Sequence, residues 1–255
     1  MEVFMTEKIN VRGVHFDNVT LSEAKSVLCE YLSDDARGKI AAVYTPNAEI
    51  VQLCIDNNEY YELINSAELI IPDGIGVVKA AKILGTPLKG RVPGIELGEA
   101  MLEYASGSAD KVFFLGGKPG VAEAAAKNMT EKYPGLCIVG TADGYFKKEG
   151  DESDAILGKI ADSGANILFV CLGVPVQEKW IFDNKEKLAF IGIRVAMALG
   201  GSLDVYSGNV KRAPVFFRKT GLEWLYRLLC QPSRLGRMMK LPKFLIGTYK
   251  EKRKK

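Results

Sequence analysis

With 255 residues, 47% of them hydrophobic and 25% charged, the chain can bury a sizeable core as one large or two small domains, and extended disorder is excluded over most of it. No early segment joins a basic start to a long apolar run, and no window reaches the roughly 18 apolar residues that cross a bilayer, so the expectation is a cytoplasmic protein, neither secreted nor integral to a membrane. The net charge of +3 hides a split, because residues 211–255 carry 14 Lys or Arg against Glu223 and Glu251, leaving a net −9 on the rest. The five cysteines, Cys29, Cys54, Cys137, Cys171 and Cys230, form no C-x-x-C pair and read as reduced core residues.

Taken in chain order, a short strand pattern (INVRGVHF) precedes a helix over about 21–32. The apolar strand IAAVY then runs into TPNAE, and a helical stretch reaches about residue 66. The strand ELII ends at Asp73 and is followed by a helix to Leu84 and another over about 94–105. Next come the strand KVFFLGG, a helix over about 119–132, the strand LCIVG before TADGYF, and a helix over about 151–163. The strand NILFVCLG, a helix opening at VQEKW and the strand IRVAMALGG close the series. Apolar runs alternating with helical periodicity predict parallel strands joined by crossover helices, a Rossmann-like α/β domain within residues 1–210.

In such a sheet the carboxyl ends of the strands converge on one crevice. The segments there are TPN (45–47), PDG (72–74), GGKPG (116–120), ADGY (142–145), LGVPVQE (172–178) and GGSLDVYSG (200–208), polar and glycine-rich as a small-molecule site requires. Asp73 is either a binding or catalytic carboxylate at a strand end or the cap of the helix that follows it. GGKPG matches neither a dinucleotide fingerprint nor a P-loop, although it can bring backbone N–H groups to a phosphate; a plain tight turn is the alternative. The only histidine, His15, lies in the N-terminal strand pattern far from these loops and reads as a structural residue rather than a base, which argues against a His-based triad. Metal-ligand spacing is missing as well, and no cofactor is expected. Any base would be a carboxylate, with cations or backbone dipoles stabilising a departing phosphate.

Residues 211–255 are expected to form a separate basic amphipathic helical appendage with an anionic partner. Leu222, Trp224, Leu225, Leu228, Leu229, Leu235, Met238, Met239, Leu241, Phe244, Leu245 and Ile246 interleave with Arg227, Arg234, Arg237, Lys240 and Lys243. That pattern fits short interfacial helices, broken at Pro232 and Pro242, that lie on anionic lipid. The alternatives are an apolar side packed on the α/β core or on a second subunit, and a solvated basic tail at KEKRKK. Self-association away from the membrane is compatible with the same face. A nucleic-acid partner is not expected, since the aromatic and basic residues follow a stripe rather than a stacking platform.

The ordered series TPNAE, PDGIGV, GRVPG, FFLGGKPG, DGYF, LGVPVQEKW and GGSLDVYSGNVKRAP resembles the WecG/TagA/CpsF glycosyltransferases over about residues 10–240, and within them the TagA branch most closely. The resemblance implies inverting transfer of an N-acetylmannosamine-type sugar from a UDP donor to polyprenyl-diphosphate-linked N-acetylglucosamine at the cytoplasmic membrane face. In the TagA branch this product is the linkage unit of wall teichoic acid; the WecG branch uses the uronic acid donor. A binding protein that holds a nucleotide-sugar without turnover would show the same loops.

Under that resemblance Asp73 is the expected base, with Gly74 and Gly76 beside it leaving room for a sugar. Thr45 lies in the pocket, and Asn47 orients sugar or acceptor or else caps a helix. Arg91 meets a phosphate or the acceptor, or forms a surface salt bridge. Gln177 bonds the donor or merely opens a helix, while Gly116, Gly117, Asp143 and Tyr145 flank the nucleotide. Arg227, Arg234 and Arg237 are expected to fold over the crevice and neutralise the leaving diphosphate, with Lys211 and Arg212 as nearer alternatives.

Overall fold

Runs such as VFFLG and ILFVC have no polar face, so they are stable only with both sides of a strand covered. The computed structural model describes residues 6–33, 38–220, 223–230 and 240–253. Six parallel strands form one sheet: β3 (Ala41–Tyr44), β4 (Leu69–Ile70), β5 (Lys111–Gly116), β6 (Cys137–Ala142), β7 (Ile167–Cys171) and β8 (Val195–Ala198), in the order β4-β3-β8-β7-β5-β6. Strands β3, β7 and β8 are buried along their whole length, whereas the edge strand β6 is only partly covered.

Register fixes which side chains reach which core. Val112 pairs with Ile167, Ile167 with Val195 and Val195 with Ala41, and all four point into one layer. Their chain neighbours Phe113, Leu168, Ala196 and Ala42 point into the other. This period-two alternation gives two apolar layers, one on each face. The covering helices are α1 (Leu21–Leu32), α2 (Ala48–Asp56), α3 (Asn58–Asn65), α4 (Ile75–Leu84), α5 (Gly94–Ser106), α6 (Val121–Lys132), α7 (Asp151–Ser163), α8 (Val176–Asp183), α9 (Lys185–Phe190) and α10 (Ser202–Tyr206).

The expected single stretch to residue 66 is two helices, because Asn57 ends α2 in extended backbone and its side chain accepts from Tyr60 N to start α3. The N-terminal pattern is likewise a hairpin of β1 (Lys8–Val11) and β2 (Val14–Asp17), turned at Arg12 and Gly13, both with positive φ. The hairpin is fastened to the sheet where the Asp17 carboxylate accepts from Ile70 N at 2.7 Å. His15 sits in β2 with its ring against Asn10. Cys54 and Cys171 are buried, but Cys137 is exposed on the edge strand; Cys230 has its side chain outside the described residues.

Beyond residue 210 the chain forms α11 (Val215–Lys219), α12 (Glu223–Cys230) and α13 (Lys240–Lys252). Pro242 stands in the first turn of α13, where a missing N–H costs no helical bond, so it begins this helix rather than breaking it. The apolar side of α13 packs on the α/β core: Phe244 is fully buried in the layer that holds Tyr44 and Val77. Arg12 donates to Phe244 O at 3.1 Å and stacks on the Phe244 ring. Lys240 pairs with Glu49 at 3.3 Å and Lys243 with Asp56 at 3.7 Å, so acids of α2 answer part of the basic excess. Truncation of Phe244 to Ala is expected to cost about 3–4 kcal/mol of stability, and hydrogen exchange should place the loss first in residues 240–252. A cost below about 1 kcal/mol would mean that α13 is not part of the cooperative core.

Candidate active site

The six parallel strands all point their carboxyl ends to one edge, and the segments 45–47, 72–74, 116–120, 142–145, 172–178 and 199–202 follow them there. Asp73 lies three residues beyond β4. It does not cap the next helix, since Gly74 is the N-cap of α4 and makes no side-chain cap bond. Instead Oδ1 accepts from Gly94 N at 3.0 Å, the first residue of α5. The carboxylate is thereby held at the positive end of a helix 21 residues further along the chain. α5 can approach this closely because Gly94 has no side chain; a Cβ there would stand 2.9 Å from Thr45 Cγ2.

Arg91 arrives from the loop before α5. Its Nε donates to the Asp73 backbone carbonyl, and its Nη2 stands 3.9 Å from Asp73 Oδ1 and 2.8 Å from Glu223 Oε2. Burial alone would lower the guanidinium pKa, but the Asp73 and Glu223 carboxylates outweigh it and raise it, so the group is fully charged. Glu223, the first residue of α12, is a site neighbour that the sequence did not suggest. The residues are 132 positions apart, and no local pattern links them.

On their Cβ sides the two glycines after Asp73 face packed residues. A Cβ on Gly74 would stand 3.0 Å from Asn47 Cβ, and one on Gly76 would meet Leu241 of α13 and Ala48. These glycines let the Asp73 loop pack against α2 and α13. Asn47 is the N-cap of α2, its Oδ1 accepting from Glu49 N at 2.9 Å and Ile50 N at 3.2 Å. Thr45 Oγ1 donates to Ala198 O at 3.1 Å, tying the ends of β3 and β8 together.

Gln177 is buried at the start of α8. Its Oε1 accepts from Gly200 N at 2.9 Å and its Nε2 donates to Glu178 Oε1 at 2.8 Å, so its amide holds the β8 loop to α8. Glu178 itself is fully buried, and burial pushes its pKa up to about 7. The Tyr60 hydroxyl lies beside it and pulls the other way, yet neither Tyr60 Oη nor Glu178 Oε2 has a well-formed hydrogen bond among the described residues. The Glu178 backbone is also held from the sheet, where the Tyr44 hydroxyl donates to Glu178 O at 3.1 Å.

Gly116 and Gly117 close the β5 end. A Cβ on Gly116 would collide with Cys171 O of the neighbouring strand, and Gly117 N donates to Cys171 O at 3.2 Å. Gly144 N donates to Gly117 O at 2.9 Å, which brings the 143–145 loop alongside. Asp143 Oδ1 accepts from Tyr145 N at 2.7 Å, leaving the Tyr145 ring 69% exposed at the edge. Helices α4, α6 and α8 begin here without side-chain caps, so their first N–H groups favour an anion. Lys211 is exposed, and Arg212 binds the Glu96 carboxylate in the first turn of α5. The Arg227 side chain, and Arg234 and Arg237 entirely, lie outside the described residues. Among the described residues, no group of three His, Cys, Asp or Glu is placed to hold a metal ion.

Chemically, the edge offers a carboxylate fixed by a backbone N–H, with a half-buried cation at its shoulder. An open parallel sheet carrying such a group at its carboxyl ends defines an α/β protein with a small-molecule site in that crevice. Residues 9–255 match the glycosyl transferase WecG/TagA/CpsF family, and the chain belongs to that family. It is 41% identical over 217 residues to an N-acetylglucosaminyldiphosphoundecaprenol N-acetyl-beta-D-mannosaminyltransferase of Bacillus spizizenii, covering 85% of this chain and 82% of the relative. A protein of the same name from Staphylococcus aureus is 36% identical over 249 residues, covering 98% of this chain and 95% of the relative.

Proposed function

We propose that the chain transfers N-acetylmannosamine from UDP-N-acetylmannosamine to undecaprenyl-diphosphate-linked N-acetylglucosamine, forming the β-1,4 linkage unit of wall teichoic acid. The observation that carries this reading is 41% and 36% identity, over most of each chain, to two relatives named N-acetylglucosaminyldiphosphoundecaprenol N-acetyl-beta-D-mannosaminyltransferase. The chemistry assigned to the edge follows. Asp73 takes the proton from the acceptor 4-hydroxyl as its oxygen attacks the anomeric carbon, and the bond to UDP breaks on the opposite face with inversion. The anchoring of Oδ1 by Gly94 fixes the plane in which the carboxylate meets that hydroxyl. UDP departs with the bonding electron pair, and cations must meet its β-phosphate. Arg91, Arg212 and Lys211 are the described candidates, with Arg227, Arg234 and Arg237 completing the set from the appendage. Thr45, Asn47 and Gln177 act by holding the loops, and Gly116, Gly117, Asp143 and Tyr145 border the nucleotide.

The acceptor is a lipid, and the C-terminal helices carry features suited to its membrane. Val215, Phe216 and Leu229 are at least half exposed, as are Ile246 and Tyr249 on the outer side of α13 beside Lys250, Lys252 and Arg253. Among the described residues no helix is long and apolar enough to cross a bilayer. The reading is therefore of a peripheral enzyme on the inner face, with residues 211–255 as its docking appendage and self-association confined to the protein off the membrane.

Transfer is tested with UDP-N-acetylmannosamine and a short-chain lipid-diphosphate-N-acetylglucosamine. Disaccharide product is expected; product only with the uronic acid donor would move the chain to the WecG activity. Docking is tested by sedimentation with phosphatidylglycerol vesicles. Binding should weaken as salt rises through about 0.5 M and fall in Phe216→Glu. Equal sedimentation with neutral and anionic vesicles would sink the electrostatic part.

A further inference from the structure

Glu223 is 7% exposed, and the group it faces at 2.8 Å is the guanidinium of Arg91. That guanidinium is already fixed on its other side, where Nε donates to the Asp73 carbonyl. Arg212, the other described arginine at this rim, is also answered by a carboxylate, that of Glu96. Glu96 in turn lies close enough to Arg91 to act on it. Both described arginines at the edge that a diphosphate should approach are therefore already paired with the chain's own acids. A guanidinium fork that accepts a carboxylate accepts a phosphate by the same geometry. A phosphate brought to Nη2 beside the Glu223 carboxylate adds a like charge at contact distance, and that repulsion sets the two anions in competition.

We propose that Glu223 occupies the place on Arg91 that a donor diphosphate takes, so that diphosphate binding and the docking of α12 compete for one guanidinium. The inference rests on the donor assigned above and adds a consequence to it. Entry of UDP-sugar displaces the Glu223 carboxylate, and the first turn of α12 loses its described ion pair while Arg91 stays in register through the Asp73 carbonyl, so that α12 reseats and the Arg227 assigned above to the diphosphate can turn to it. Glu223 is thus a positioning residue, a carboxylate stand-in that keeps Arg91 extended toward the ligand and ties the appendage down until the ligand arrives.

The test is calorimetric titration of UDP and of inorganic pyrophosphate into the full-length wild type, Glu223→Gln and Glu223→Asp. Glu223→Gln removes the competing charge and is expected to bind both probes about fivefold more tightly, whereas Glu223→Asp keeps it and should bind no more tightly than wild type. Hydrogen exchange on the wild type supplies a second readout that needs no variant. Saturating UDP should speed exchange of the amides in residues 223–230. Equal or weaker binding by a folded Glu223→Gln overturns the inference and leaves the donor reading standing, as does slower exchange in 223–230 with UDP. A wild type that binds neither probe removes the donor reading and this inference with it.

Discussion

Replacing Asp73 with Asn is expected to lower disaccharide formation by about 10³-fold, the scale of a lost general base. The substitution is nearly isosteric and keeps Oδ1 as an acceptor for Gly94 N, so the start of α5 stays where it is. The charge facing Arg91 is lost, but at 3.9 Å on a partly exposed carboxylate that contributes at most about 1 kcal/mol. The fall should therefore sit in kcat, with UDP binding and thermal stability close to wild type. Comparable turnover by Asp73→Asn and wild type would reduce Asp73 to an anchor for α5 and send the search for the base elsewhere along the edge.

The second large effect concerns stability and lies away from the reacting atoms. Glu178 holds its proton up to about pH 7 in the folded protein, against an ordinary value of 4.5. Between those values the folded state binds more protons than the unfolded one, so stability falls as pH rises across the window and levels off above it. The shift corresponds to about 3 kcal/mol. Glu178→Gln resembles the protonated acid and retains an oxygen to accept from Gln177. It should be about 3 kcal/mol more stable than wild type at pH 8, with the difference shrinking to about 1 kcal/mol at pH 5. Urea denaturation at the two pH values reads this directly. The same difference at both would mean that the buried carboxyl does not titrate in this range.

Strands were legible wherever an apolar run ended in glycine or proline, as in KVFFLGG and NILFVCLG, because a strand buried on both faces needs little beyond hydrophobicity and punctuation. The hairpin was hidden because its turn is Arg12-Gly13, and arginine at positive φ carries none of the Asn-Gly or Asp-Gly signal of such turns. The six-residue α9 left too short a period to read. At the edge, loop composition located the segments, and Asp73 stood out by its position after a strand. Its partner Gly94, the fastening of Arg91 to Glu223 and the burial of Glu178 depend on chain neighbours made by folding, which no window of sequence contains. The two glycines after Asp73 show the same limit: small residues signal closeness but not what comes close, and here it is Asn47 and Leu241.

Among the described residues, strand β8 is the last strand of the sheet in chain order, yet it lies between β3 and β7 and bridges the β4-β3 pair and the β7-β5-β6 group. While the chain is still emerging from a ribosome, everything before residue 195 can form only two half-sheets, each with a bare edge awaiting the same four residues, Val195–Ala198. Those edges are hydrophobic and unprotected, the condition under which nascent chains pair with the wrong neighbour. Production of this protein should accordingly be sensitive to translation speed and to chaperone supply until β8 has emerged, and fragments stopped short of β8 should aggregate rather than accumulate as a smaller folded unit.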